Sequence, residues 1–192
     1  VWGLAMPYTP ASPLHTRATV RPLKIVAIGE IGLDYHYEET DKALQHKWFA
    51  GQMDIARELK LPIAIHSRDA AQDTIQIMRA SRAEEIGGVI HCYSYSKESA
   101  RDFLNMGFYF GIGGVVTFKN AKKLKEAVAY IPLSNIVLET DAPYLTPEPF
   151  RGKRNDSSKL TYVAQAIADI KQIPVDEVYA ETWKNAHQMY KI

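Results

Sequence analysis

From residue 24 onward, short unbroken apolar runs alternate with longer amphipathic stretches, a pattern that dictates a parallel sheet with helical crossovers. The runs are Lys24–Gly32 (KIVAIGEIG), Leu61–His66 (LPIAIH), Gly87–Cys92 (GGVIHC), Phe108–Gly113 (FYFGIG) and Asn135–Thr140 (NIVLET). Their polarity is continuous rather than alternating, as expected of strands covered on both faces. Between them, Asp41–Leu59 places Leu44, Trp48, Ile55 and Leu59 on one stripe. Leu160, Val163, Ile167 and Ile170 form a second, and Val178, Thr182, Ala186 and Tyr190 a third. Asp69 and Ser96 stand where helix N-caps are expected. Each crossover is then right-handed.

At 192 residues the chain suffices for one domain but falls short of a closed eight-stranded α/β barrel, which needs roughly 250 residues. Residues 24–192 therefore read as a single partial α/β-barrel domain. In residues 1–23, Pro7, Pro10, Pro13 and Pro22 defeat helix formation. That segment reads as an irregular lead-in with at most a short strand around Trp2–Met6. The chain does not open on Met, as expected of a fragment or a processed product. No apolar run approaches the roughly 20 residues that cross a bilayer, and no basic segment precedes an apolar one as in a signal peptide. The single cysteine, Cys92, excludes an internal disulfide and suits a cytoplasmic location. The net charge of +1 gives no global attraction for a polyanion, so affinity for nucleic acid must be local or carried by metal.

The polar residues fall at the carboxyl ends of the runs, where parallel α/β sheets place their chemistry. The first run carries Glu30 with Asp34 just beyond. The second ends in His66, the third in His91, and the fifth in Glu139 and Asp141. Neutral imidazoles and carboxylates at one rim are the donors that Zn²⁺, Mn²⁺ or Mg²⁺ require. Two cations bridged by a glutamate suit phosphodiester hydrolysis, one polarising the scissile group and the other activating water. Asp34 and His36 are either supports for such ligands or loop caps. Glu139 is expected to face the opposite side of its strand, in a structural pair, and Cys92 to sit in the core. Gly111, Gly113 and Gly114 suggest a strand end where bulk would obstruct the pocket. Tyr35, Tyr93, Tyr95 and Tyr144 either stack on an unpaired base or pack at the rim. Lys119, Lys122, Lys123 and Lys125 read as the wet face of a helix.

Six ordered segments carry a resemblance: GEIGLDY (Gly29–Tyr35), IHSR (Ile65–Arg68), HCYS (His91–Ser94), GGVVTFK (Gly113–Lys119), ETDAPYL (Glu139–Leu145) and RGKRN (Arg151–Asn155). Together they resemble the successive signatures of TatD-type metal-dependent deoxyribonucleases, from about residue 24 to the C-terminus. The resemblance implies a TIM (β/α)8 barrel of the metallo-dependent hydrolase type, represented here by about its last five strands and their helices. It implies two divalent cations (Mg²⁺, Mn²⁺ or Zn²⁺) and hydrolysis of DNA, single-stranded or at ends. Carried over by motif, Glu30 bridges the metals, His66 and His91 hold one, and Asp141 binds the other and helps activate water. The family opens with a metal-ligating His-x-His pair, which this sequence lacks; His15 stands alone. The second cation site is therefore expected to be incomplete in this chain.

Arg151, Lys153 and Arg154 follow a ligand-bearing run and, with Arg68, are the expected contacts to substrate phosphates. Two alternatives stand beside the nuclease: a catalytically impaired fragment of such an enzyme, and a related metallo-dependent amidohydrolase. Those relatives often bridge their metals with a carboxylated lysine, and no run here ends in lysine.

Overall fold

The computed structural model describes residues 25–37 and 39–192. The lead-in expected over 1–23 lies outside the described residues. Five strands form one parallel sheet in chain order: β1 (Ile28–Asp34), β2 (Ile63–Arg68), β3 (Gly88–Ile90), β4 (Tyr109–Ile112) and β5 (Ile136–Leu138). Helices α1 (Lys42–Leu59), α2 (Ala71–Ala80), α3 (Lys97–Asn105) and α4 (Lys122–Tyr130) connect them, and α5 (Leu160–Lys171) and α6 (Val175–Tyr190) follow β5. The assembly is an arc of a (β/α)8 barrel with β1 and β5 at its edges among the described residues.

Strand pairing aligns Ile65, Ile90, Phe110 and Ile136 in one row across β2 to β5. All four are fully or almost fully buried and join one core with Phe49, Met53, Met78, Phe103, Val128 and Ile167 of the helices. Side chains alternate between faces along a strand, so Ala64, Val89 and Val137 point the other way. They pack instead against Met189 in the C-terminal part of α6, with Ala186 and Tyr190 alongside. The sheet is thus covered on both faces, which is why its runs are apolar throughout.

Helix α1 starts where Asp41 accepts a hydrogen bond from the Leu44 amide (2.9 Å) and ends at Lys60 in the left-handed region. Its buried residues are Phe49, Met53 and Ala56, whereas the expected stripe of Leu44, Trp48, Ile55 and Leu59 is exposed. At 100° per residue the two sets lie on different faces, and only one can meet the sheet. The other two stripes bury as expected, Val163 and Ile167 in α5 and Val178 and Thr182 in α6. Of the two capping expectations, Ser96 holds its position and Asp69 does not. Asp69 takes a left-handed φ of 53°, which suits Asp, and turns the chain so that Ala70 becomes the cap of α2. Ser96 occupies the cap of α3 without a side-chain hydrogen bond. Lys119, Lys122 and Lys123 are exposed and Lys125 is half-buried, in keeping with a wet helix face.

Phe110 stands at the centre of this core, edge-on to Tyr93 (centroids 5.0 Å apart) and to Phe103 (6.5 Å). Phe110→Ala is expected to cost about 3–5 kcal/mol, measured by urea denaturation. A loss below about 1 kcal/mol would contradict the packing described.

Candidate functional site

Parallel register sets the rim. His66 lies in β2 on the face of Ala64, and His91 follows β3 on the face of Val89, one step beyond the paired residues Ile65 and Ile90. The His91 amide donates to the Ile65 carbonyl (2.8 Å), so the two imidazoles stand on neighbouring strands at one height. Glu30 lies in β1 where the register shifts between Ile28 and Ile31. Asp141 follows β5 with a left-handed φ of 53°.

The four predicted residues come together in a chain of contacts. Glu30 spans both imidazoles, its Oε2 lying 3.9 Å from His66 Nδ1 and its Oε1 3.6 Å from His91 Nε2. Asp141 Oδ1 lies 3.4 Å from the same His91 nitrogen. Each imidazole is held from behind by a further carboxylate. Glu139 Oε2 takes His91 Nδ1 at 2.9 Å, and Asp34 Oδ2 takes His66 Nε2 at 3.1 Å. Such partners orient a ring and select its tautomer, leaving the other nitrogen for a ligand.

Glu139 is the functional residue that sequence reasoning misplaced. It does not face away from His91; residues 137 and 139 share the face of Val89 and His91, and its second oxygen accepts the Cys92 amide (2.6 Å). Parity along the strand was the signal that could have found it. Space for it comes from Gly111, where a Cβ would lie 2.0 Å from Glu139 Oε2. Gly114 is also required, since a Cβ there would meet the Leu145 carbonyl at 2.0 Å, while Gly113 has ordinary clearance. Asp34 proves to be both a support for His66 and a loop cap, its Oδ1 accepting the His36 amide (2.9 Å). His36 itself faces Asp69 at 3.5 Å. Cys92 is half-buried rather than core.

Burial alone would lower the His91 pKa, but hydrogen bonding to Asp141 and Glu139 and the charges of Glu139 and Glu30 overrule it and raise it to about 10. The Cys92 thiol is pushed above its usual range by burial and by the charges of Glu139, Asp141 and Glu30, which keeps it protonated and unreactive.

Two donors about 2.1 Å from one ion at a near-tetrahedral angle stand about 3.4 Å apart. The pairs at His91 Nε2 match that spacing, and imidazole with carboxylate is the right donor chemistry for a divalent cation. The residues therefore fit such an ion pairwise, although no three His, Cys, Asp or Glu side chains form a ready cage among the described residues.

None of the predicted cations forms an ion pair with this cluster among the described residues. Arg68 is exposed at the end of β2. Arg151, Lys153 and Arg154 line a cavity with Pro143 and Tyr144, the Arg151 guanidinium resting on the Phe118 ring (4.4 Å). Of the tyrosines, Tyr93 is buried, while Tyr35 and Tyr95 are tied by their hydroxyls to Asp73 and Ser67. Tyr144 is 70% exposed.

Comparison with known proteins gives concordant results. Residues 14–191 match the family model described as TatD related DNase. The chain is 48% identical over 169 residues to the uncharacterized metal-dependent hydrolase YabD of Bacillus subtilis, covering 88% of this chain and 66% of that protein. It is 40% identical over 168 residues to the uncharacterized metal-dependent hydrolase YcfH of Escherichia coli, covering 88% and 63%. The crystal structure of the TatD homologue YJJV from Escherichia coli superposes with a TM-score of 0.84 at 29% identity, covering 90% of this chain and 66% of that one. The chain thus spans about two thirds of the length of these relatives.

In chelator, the His91 ring is expected to titrate near pH 10, followed by NMR of its ring protons. Because the folded value lies above the unfolded value of about 6.5, the stability it contributes is complete below about pH 6.5 and fades as pH rises toward 10. Glu139→Gln should bring the midpoint down. An unchanged midpoint would remove Glu139 from the account.

Proposed function

This chain belongs to the TatD family of metal-dependent hydrolases, and on that premise we propose that it hydrolyses phosphodiester bonds of DNA with two divalent cations. The observation that carries the reading is His91 Nε2, turned by Glu139 toward Glu30 and Asp141. Glu30, His66 and His91 would hold one cation, and Asp141, with Glu30 between, the other. When bound, such ions offset phosphodiester charge and acidify water.

The chain's own groups supply the rest. The His91 Nδ1–H donates to Glu139, which keeps Nε2 turned toward the cluster. Asp141 keeps a third of its side chain exposed, so its carboxylate is open to accept a proton from attacking water. Glu30, similarly exposed, holds the two imidazoles at a fixed separation. Arg151, Lys153 and Arg154, and Arg68 on the β2 side, would draw in phosphate oxygens. Its substrate would be single-stranded DNA or a frayed end, met in the cytoplasm.

A second reading, a catalytically impaired piece of such an enzyme, is favoured by one observation: Glu30 sits on the edge strand, and no three ligands converge among the described residues. Calorimetry separates the two. Two tight Mn²⁺ or Zn²⁺ sites would eliminate the impaired reading, and one weak site would support it. Under the nuclease reading, Glu30→Gln and Asp141→Asn should each lower metal-dependent nucleotide release from single-stranded DNA by about 100-fold or more. Undiminished release in either variant refutes the assignment.

A further inference from the structure

Beyond β5 the chain makes a platform whose backbone is tied at several points. The Tyr144 amide donates to the Asp141 carbonyl (2.9 Å), closing a tight turn. Asn155, only 2% exposed, donates through Nδ2 to the carbonyls of Thr140 and Tyr144 (2.7 Å each), and its amide donates to the Pro143 carbonyl (3.0 Å). The Thr146 hydroxyl donates to the Lys153 carbonyl, and the Lys153 amide to that of Phe150 (3.0 Å). Asn155 therefore staples the turn after Asp141 to the loop that bears Arg151, Lys153 and Arg154.

Between these segments opens a cavity of about 580 Å³, within the range of small-ligand sites (about 300–1,000 Å³). Its chemistry is divided. Arg151, Lys153 and Arg154 bring positive charge that no ion pair neutralises among the described residues. On the other side Tyr144 is 70% exposed on a backbone held at both ends. Phe118 seats the Arg151 guanidinium at 4.4 Å, which keeps that cation at the cavity. A bare phosphate site would have no use for an exposed ring, and an apolar site would not hold three cations.

We propose that this cavity is a one-nucleotide subsite, taking an unpaired base on the Tyr144 ring and its phosphate on Arg151, Lys153 and Arg154. The inference rests on the nuclease reading and adds to it where the neighbouring nucleotide sits. The turn from Asp141 to Tyr144 brings the two Cα atoms within about 7 Å, so a nucleotide on Tyr144 lies next to the bond presented to Asp141. Stacking on a tyrosine face tolerates any base but requires it to be unpaired. Such a subsite therefore selects single strands and frayed ends without selecting sequence.

The test is equilibrium binding to the full chain, loaded with Mg²⁺, of three probes that contain no phosphodiester: dAMP, 2-deoxyribose 5-phosphate and inorganic phosphate. We expect dAMP to bind about 10-fold more tightly than the sugar phosphate, the increment that one stacked base supplies. Tyr144→Ala should abolish this preference while leaving sugar-phosphate binding unchanged, and Tyr144→Phe should keep it. Lys153→Ala combined with Arg154→Ala should weaken all three probes. Equal affinity for dAMP and the sugar phosphate, absence of dAMP binding, or a preference that survives Tyr144→Ala would each overturn the proposal. Metal-dependent cleavage without a dAMP preference would sink the subsite alone. A dAMP preference without cleavage would sink the hydrolytic reading and leave the cavity as a nucleotide site.

Discussion

Parallel register is the constraint on which the rim depends. Because successive side chains alternate in direction, the pairing of Ile65 with Ile90 and of Phe110 with Ile136 also decides where His66, His91 and Glu139 point. A slip of one residue in β3 would send His91 into the helix layer and bring Ile90 to the rim. What forbids the slip is apolar burial on the far face, where Ile65, Ile90, Phe110 and Ile136 close against the helices. Each such side chain contributes about 1.5–3 kcal/mol when fully buried. The polar cluster is thus held in place by groups that never touch it.

Much of this was legible in the chain itself. The five runs became five parallel strands, and Glu30, His66, His91 and Asp141 came to one place from four separate segments. Strand ends are legible because a continuous apolar run interrupted by a charged or imidazole group has few structural excuses. Helix faces were harder to read. In α1 both Phe49–Met53–Ala56 and Leu44–Trp48–Ile55–Leu59 make apolar stripes, and only packing selects the first. Asp69 shows a similar limit, because a left-handed residue and an N-cap draw on the same residue types. Support groups were only partly legible: Asp34 behind His66 was read as either a support or a loop cap and is both, whereas Glu139 behind His91 was misread because its role depends on a partner 48 residues away.

Among the described residues, both margins of the arc are apolar. Beside β1, Leu44, Ile55 and Leu59 of α1 lie exposed, and beside β5 a groove is lined by Leu138, Tyr179 and Trp183. Unpaired strand margins carry free backbone donors and acceptors, and closed barrels remove them by pairing the first strand with the last. Glu30 shares the situation of its strand. It reaches inward to His66 and His91, yet a third of its side chain remains open to solvent. Openness weakens every Coulombic contact it makes, since water screens the charge. The site therefore grows firmer away from β1, toward His91 after β3 and Glu139 after β5, whose side chains are only 16% and 15% exposed.

That gradient bears on how the cluster handles charge. Glu30, Asp34, Glu139 and Asp141 crowd around two imidazoles, so at neutral pH the carboxylates carry more negative charge than neutral rings can balance. A proton on His91 is one way to balance it, and the surrounding carboxylates accordingly push that group's pKa up to about 10. A divalent cation held by Glu30, His66 and His91 would be the other way, and it would need the same Nε2 lone pair that the proton occupies. On the proposed reading, proton and cation would compete for one position, so cation binding would expel a proton and strengthen as pH rises. Glu139 would serve in both states, since Nδ1–H donates to it and leaves Nε2 for either a proton or a metal. The arrangement that makes His91 a strong base is the same one that keeps its ring aimed at the cation position.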